Sequence, residues 1–136
     1  MILSVYVGVA EGARAVALRQ AASRRHDAGT QELVGEMETE LATARMALRH
    51  MLDAGSSGHM GVETTNEVVI GRSIAGRAAI RAVELALEVA GGAGFFRDTG
   101  LERLFRDVQG ARYHPLRAQA QRLYSGRVAL GLDVNA

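Results

Sequence analysis

Apolar residues recur every three or four positions along most of this chain, the period at which one stripe of an α-helix faces a core. Leu33, Met37, Leu41, Ala44, Leu48 and Met51 predict a helix over roughly 30–52. Val69, Ser73, Gly76, Ile80, Val83 and Leu87 mark a third helix, and an earlier one over about 2–25 carries Val5, Val9 and Val16 on its inner face. Thr64 and Glu67 have capping-box spacing ahead of the third helix, and Thr99 and Glu102 repeat it ahead of a fourth. Gly91 and Gly92 close the third helix, and the glycine- and serine-rich stretch from Asp53 to Gly61 reads as a loop. Leu101, Leu104, Phe105 and Val108 give the fourth helix a core-facing stripe. Pro115 stands where a first-turn proline is tolerated, so a last helix is expected from about His114 to Leu130. The pattern therefore predicts an all-α antiparallel helical bundle of about five helices, with the third and fifth central and no sheet.

Composition agrees with that pattern and narrows the function. A chain of 136 residues builds one domain around one core, and 48% hydrophobic residues supply enough apolar material to fold. One proline and 4% aromatic residues favour helix over strand. The 16 basic residues nearly cancel the 15 acidic ones, and the arginines are spread along the sequence, so no nucleic-acid partner is expected. The absence of cysteine removes disulfides, thiolate metal sites and cysteine nucleophiles, and fits a cytoplasmic protein. Met1 to Ala10 is apolar but lacks a basic leader segment, and no apolar run approaches the roughly 20 residues of a membrane span. A soluble protein without membrane partners is expected.

Several kinds of chemistry are excluded by spacing. A di-iron carboxylate site in a bundle needs Glu-x-x-His pairs, and none of His26, His50, His59 or His114 follows a glutamate at that distance. There is no His-Glu-x-x-His zinc motif and no Walker loop, and no metal site is expected. Gly91-Gly92-Ala93-Gly94 follows a helix, unlike the strand-borne glycine loop of a dinucleotide fold. By itself this run reads as a helix terminator.

The stretch from Ala86 to Leu132, ALEVAGGAGFFRDTGLERLFRDVQGARYHPLRAQAQRLYSGRVALGL, resembles the end of an acyl-CoA dehydrogenase. It runs through a long helix, a Gly-Gly-x-Gly turn, a short helix with Leu-Glu-Arg and Arg-Asp, and a final helix with Gln-x-Gln-Arg. Gly35-Glu36-Met37 to Ala44-Arg45-Met46 and Gly8 to Leu18 resemble the family's preceding bundle helices, so the resemblance spans essentially the whole chain. It implies that residues 1–136 are the C-terminal helical domain, with the family's N-terminal helical and middle β-domains absent from this chain.

The resemblance also implies FAD as cofactor, held between the middle domain and this bundle and across a subunit contact. Gly91, Gly92 and Gly94 match the turn at the FAD pyrophosphate, and Gln119 matches the glutamine near FAD in the last helix. An acyl-CoA or other small-molecule substrate is implied for the full-length enzyme, as is self-association into a homodimer or tetramer. Faces bearing Val5, Val9, Leu123 and Val128 would otherwise lack cover.

Departures from the family pattern concern the chemistry. Glu88 replaces the glutamine three residues before the paired glycines, and is expected to face a cation or solvent. The Arg-x-x-Phe-Gly stretch at the adenine end of FAD is missing from the shorter connection of Ser23 to Gln31. The glutamate that serves as general base falls on Pro115, with Leu116 and Arg117 in place of Gly-Thr. His114 is the neighbouring candidate catalytic residue. A histidine there resembles the branch of the fold that uses reduced flavin and oxygen, and imidazole exchanges a proton near neutral pH. A capping or surface histidine is the other reading of His114. Arg106 and Asp107 read as a structural ion pair or turn. The chain by itself is expected to be inactive, either as part of a flavin oxidoreductase or, in a rival reading, as a helical assembly module.

Overall fold

Small side chains set how closely the long helices approach. The computed structural model describes residues 2–114 and 116–136. Helix α1 (Ile2–Ala21) is followed by α2 (Ala28–Ser56) and α3 (Val62–Ala90), then by the short α4 (Leu101–Val108) and by α5 (Ala118–Ala129). Four 3₁₀ turns, Ala22–Arg24, Gly91–Phe95, Arg97–Thr99 and Gln109–Arg112, link them, and no strand occurs among the described residues. The all-α bundle read from the sequence is the observed architecture.

Helix α3 is the axis of the bundle, contacting α1, α2, α4 and α5. Its buried residues, among them Gly71, Ala75, Ala79, Ala82, Val83, Leu85, Ala86 and Val89, face several neighbours, so the single predicted stripe is too narrow. Helix α2 meets it through Met37, Leu41, Ala44 and Met51, as the periodicity predicts. At that crossing a β-carbon on Gly71 would lie 3.2 Å from the β-carbon of Met51 and 3.3 Å from the Ala47 carbonyl oxygen, so glycine permits the close approach. Leu3, Met37, Leu41, Met51, Leu85 and Leu101 are fully buried. Each such side chain contributes about 1.5–3 kcal/mol relative to exposure.

The inner face of α1 differs from the predicted one. Leu3, Tyr6, Val7, Ala10, Ala13, Ala17 and Ala21 are buried, Val9 and Val16 flank the core, and Val5 faces outward. The alanines win because a narrow surface lets α1 lie close to α3, where the bulkier valines would hold it off. Helix α4 follows its predicted stripe, with Leu101 and Val108 buried and Leu104 and Phe105 packed beside them.

Helix ends also depart from expectation. Helix α2 begins before Thr30, because Asp27 in extended conformation accepts the Thr30 N–H at 2.8 Å and its hydroxyl at 3.0 Å. That helix runs on to Ser56, through the first four residues of the predicted loop, and α3 starts at Val62 behind Gly61, ahead of the Thr64–Glu67 pair. At α4 the capping residue is Gly100, and Thr99 assists by accepting the Leu101 N–H at 3.3 Å. Helix α1 ends at Ala21, with a 3₁₀ turn completing the span predicted to Arg25.

Helix α5 is peripheral, which corrects its predicted central place. Its main neighbour is α3 and none of its residues is fully buried, whereas a central helix needs neighbours on several sides. It begins at Ala118, not at His114, and Pro115, on which the first-turn reading rests, lies outside the described residues.

Candidate functional site

Three places carry the candidate residues. The first is the turn at the carboxyl end of α3. Gly91 has φ 65° and ψ −143°, a conformation that only glycine adopts without strain, and its N–H donates to the carbonyls of Leu87 and Glu88. Gly94 is buried, and a β-carbon there would approach the Leu87 carbonyl oxygen to 3.2 Å and Ala90 to 3.3 Å. Folding itself thus accounts for two of the three glycines. Gly92 differs: it is exposed, and a β-carbon there would meet nothing within 4 Å.

The electrostatics of this turn are set by arginines. The carboxyl end of a helix carries partial negative charge, so α3 offers an anion no dipole attraction here. Arg24 supplies the local cation: its Nη2 donates to the Val89 carbonyl oxygen at 2.7 Å, and its guanidinium lies 3.8–3.9 Å from the β-carbon position of Gly91. Glu88 faces a cation, as one expectation held. Its carboxylate is 3.3 Å from Arg81, which also pairs with Glu36 at 3.0 Å and Glu84 at 3.5 Å. Those carboxylates hold the Arg81 guanidinium above its usual pKa, with the Glu36 hydrogen bond the largest cause. The charge of Glu88 is therefore partly neutralised beside the turn.

The second place is the turn leading to α5. The Gly110 carbonyl accepts the N–H groups of Tyr113 at 3.0 Å and His114 at 3.2 Å, which fixes the backbone just before Pro115. His114 is exposed, as is Gln119 in the first turn of α5. Ala111 packs on Gly76, which lies fifteen residues, or roughly 22 Å, before Gly91 along α3, and His114 follows Ala111 by three residues. The chain does not bring these two candidate groups together. Arg106 pairs with Glu102 at 3.8 Å and not with Asp107, because residues four apart on a helix face each other while adjacent ones do not.

The third place was not legible in the sequence. A groove of about 440 Å³ opens between α3, the Gln109–Arg112 turn and α5, and Arg72, Arg77, Arg112 and Arg122 line it without any acidic residue. Its polar wall is held by Ser73, whose hydroxyl donates to Gln121 Oε1 at 2.9 Å, and by Arg72 Nη2, which donates to the Leu116 carbonyl at 2.7 Å. Burial lowers the pKa of Arg72. Among the described residues no group of three or more potential metal ligands occurs, and no helix is long and apolar enough to cross a membrane.

Comparison with known proteins places this architecture. Cyclohex-1-ene-1-carbonyl-CoA dehydrogenase of Geobacter metallireducens is 27% identical over 131 residues, covering 91% of this chain and 34% of that protein. Amino sugar nitrososynthase DnmZ of Streptomyces peucetius is 29% identical, covering 96% of this chain and 35% of its own length. The chain thus spans about a third of the length of these relatives. Among solved structures, KijD3 in complex with FMN and dTDP-3-amino-2,3,6-trideoxy-4-keto-3-methyl-D-glucose superposes with a TM-score of 0.85 at 30% identity, covering 97% of this chain and 35% of that one. The sequence model described as "Acyl-CoA dehydrogenase, C-terminal domain" matches residues 1–114, and the chain belongs to that family.

Proposed function

We propose that this chain is the C-terminal domain of a FAD-dependent oxidoreductase, contributing one wall of the flavin site and part of the subunit contact. The observation that carries the reading is Gly92, a glycine in the Gly91–Gly94 turn whose identity nothing in the chain's own packing explains. A bare backbone open to solvent suits the close approach of a phosphate group. The residues present fit the pyrophosphate on one side only: Gly92 offers exposed backbone, Gly91 and Gly94 shape the turn that presents it, and the wall facing the flavin ring would come from outside this bundle. When bound, the flavin supplies the redox chemistry; this domain binds and orients it. Gln119, exposed on α5, would add a side-chain amide.

The test is flavin content in the assembled enzyme that contains this chain. Gly92→Leu adds a side chain into open space, so it should lower flavin per folded subunit about tenfold while leaving the melting temperature of the flavin-free protein unchanged. Full flavin occupancy in that variant overturns the reading.

One observation favours oxygen chemistry over dehydrogenation of an acyl-CoA. Residues 113–119, Tyr-His-Pro-Leu-Arg-Ala-Gln, contain no carboxylate to remove a proton, and His114 carries their one imidazole. The nitrososynthase relative supports the same direction. His114 would then give or take a proton at the substrate. Small-molecule substrate and partner subunits complete the site in the full-length enzyme.

A further inference from the structure

Elsewhere in this chain Arg14 pairs with Glu38, Arg45 with Glu11, Arg81 with Glu36, Glu84 and Glu88, and Arg106 with Glu102. The groove between α3 and α5 gathers four arginines on one surface. Arg72, Arg77, Arg112 and Arg122 converge on it, and among the described residues none of the four is paired with a carboxylate. In a chain with 16 basic and 15 acidic residues, the groove collects basic charge that the fold leaves uncompensated.

We propose that this groove binds the phosphate or pyrophosphate group of a small ligand, gripped by Arg77, Arg112 and Arg122 around the fixed guanidinium of Arg72. A bound polyanion would meet four guanidinium groups in a groove lined by no carboxylate. The guanidinium fork matches two phosphate oxygens at once, which an ammonium does not. Two of the four are already oriented, Arg72 by the Leu116 carbonyl at 2.7 Å and Arg112 by Gln109 Oε1, which accepts its Nε–H at 2.7 Å. Arg77 and Arg122 have no hydrogen-bond or ion-pair partner among the described residues, so their donors are available to a ligand. Ser73 and Gln121 add neutral polar groups, and Gly76, Ile80 and Ala111 form an apolar floor. A concave site of about 440 Å³ has the size of a small-molecule pocket, not of an extended polyanion surface.

The groove is separate from the glycine turn. Gly76 precedes Gly91 by fifteen residues of α3, or roughly 22 Å, too far for one pyrophosphate to touch both. The inference therefore stands apart from the flavin reading and fails independently of it.

Isothermal titration of the full chain with inorganic pyrophosphate tests the proposal. One saturable site is expected, weakened about 100-fold or more in the Arg77→Gln/Arg122→Gln variant, which removes two charge-assisted contacts to the anion. Arg14→Gln/Arg45→Gln removes the same charge from arginines outside the groove and should leave binding intact. The conservative Arg77→Lys/Arg122→Lys variant keeps the charge and should recover part of the affinity. Competition by FAD and by coenzyme A, each of which contains a pyrophosphate, assigns the source. Absence of saturable binding, or equal weakening in the Arg14/Arg45 control, overturns the proposal, as does binding of a long polyanion without binding of pyrophosphate.

Discussion

The phenol oxygen of Tyr6 lies 2.5 Å from the point where Gly110 would carry a β-carbon, with two ring carbons 3.0 Å away. The first helix thus reaches across the bundle to hold the turn that presents Arg112 and His114. Gly110→Ala should destabilise the chain by roughly 1–3 kcal/mol through overpacking. Tyr6→Phe in the same background removes the nearest atom and should recover part of that loss. A double-mutant cycle by urea denaturation measures the coupling; strictly additive effects would break the link between these residues.

The glycine turn separates folding from binding. Gly91→Ala forces a side chain into a glycine-only conformation and should cost about 1–3 kcal/mol. Gly92→Ala should stay within about 0.5 kcal/mol of the parent, because its β-carbon meets nothing. Thermal unfolding of the two variants side by side checks the contrast, and equal destabilisation would show that Gly92 is constrained by the fold.

Acid should loosen the start of α2. The Thr30 N–H and hydroxyl hold the Asp27 carboxyl below the usual carboxylate pKa, with the backbone N–H the larger cause. A carboxyl depressed in the folded state stabilises above its unfolded pKa of about 4, and that contribution disappears as pH falls through the lower folded value. Asp27→Ala should therefore lower the melting temperature at pH 7 and have little effect near pH 2. A difference that persists unchanged at pH 2 would remove the cap from the account.

His114 divides the catalytic reading from a structural one. In the full-length enzyme His114→Ala should lower turnover about 10²- to 10⁴-fold, the usual contribution of a positioned acid or base, with flavin content nearly unchanged. The side chain is exposed, so the melting temperature should hardly move. Activity, flavin occupancy and melting temperature measured on the same preparation decide it, and unchanged turnover removes His114 from the chemistry.

Apolar side chains left outside the bundle predict self-association. Val5 is 61% exposed, Leu123 57% and Leu130 75%, so two of the four outer positions anticipated from the sequence are open to solvent, while Val9 and Val128 are half-buried. We expect a homodimer or tetramer by sedimentation, shifted toward monomer by Leu123→Glu/Leu130→Glu. A monomeric parent chain at micromolar concentration would refute this.

Local information in the sequence determined the helices. Met37, Leu41, Ala44 and Met51 recur at helical spacing, and helical spacing alone places them on one face, whatever that face meets. The family was legible for a similar reason, since its marks from Ala86 onward are contiguous. What each face meets was decided by packing. Val5 and Ala13 both satisfy a helical stripe, and only the close approach of α1 to α3 shows that the alanine side is inside. Helix α5 carries Leu123 and Val128 among polar residues, and its place depends on how many neighbours the assembled bundle gives it. The arginine groove lies furthest from sequence reading. Arg72, Arg77, Arg112 and Arg122 span fifty residues of chain, and no local period relates positions that only the docking of α5 on α3 brings to one surface.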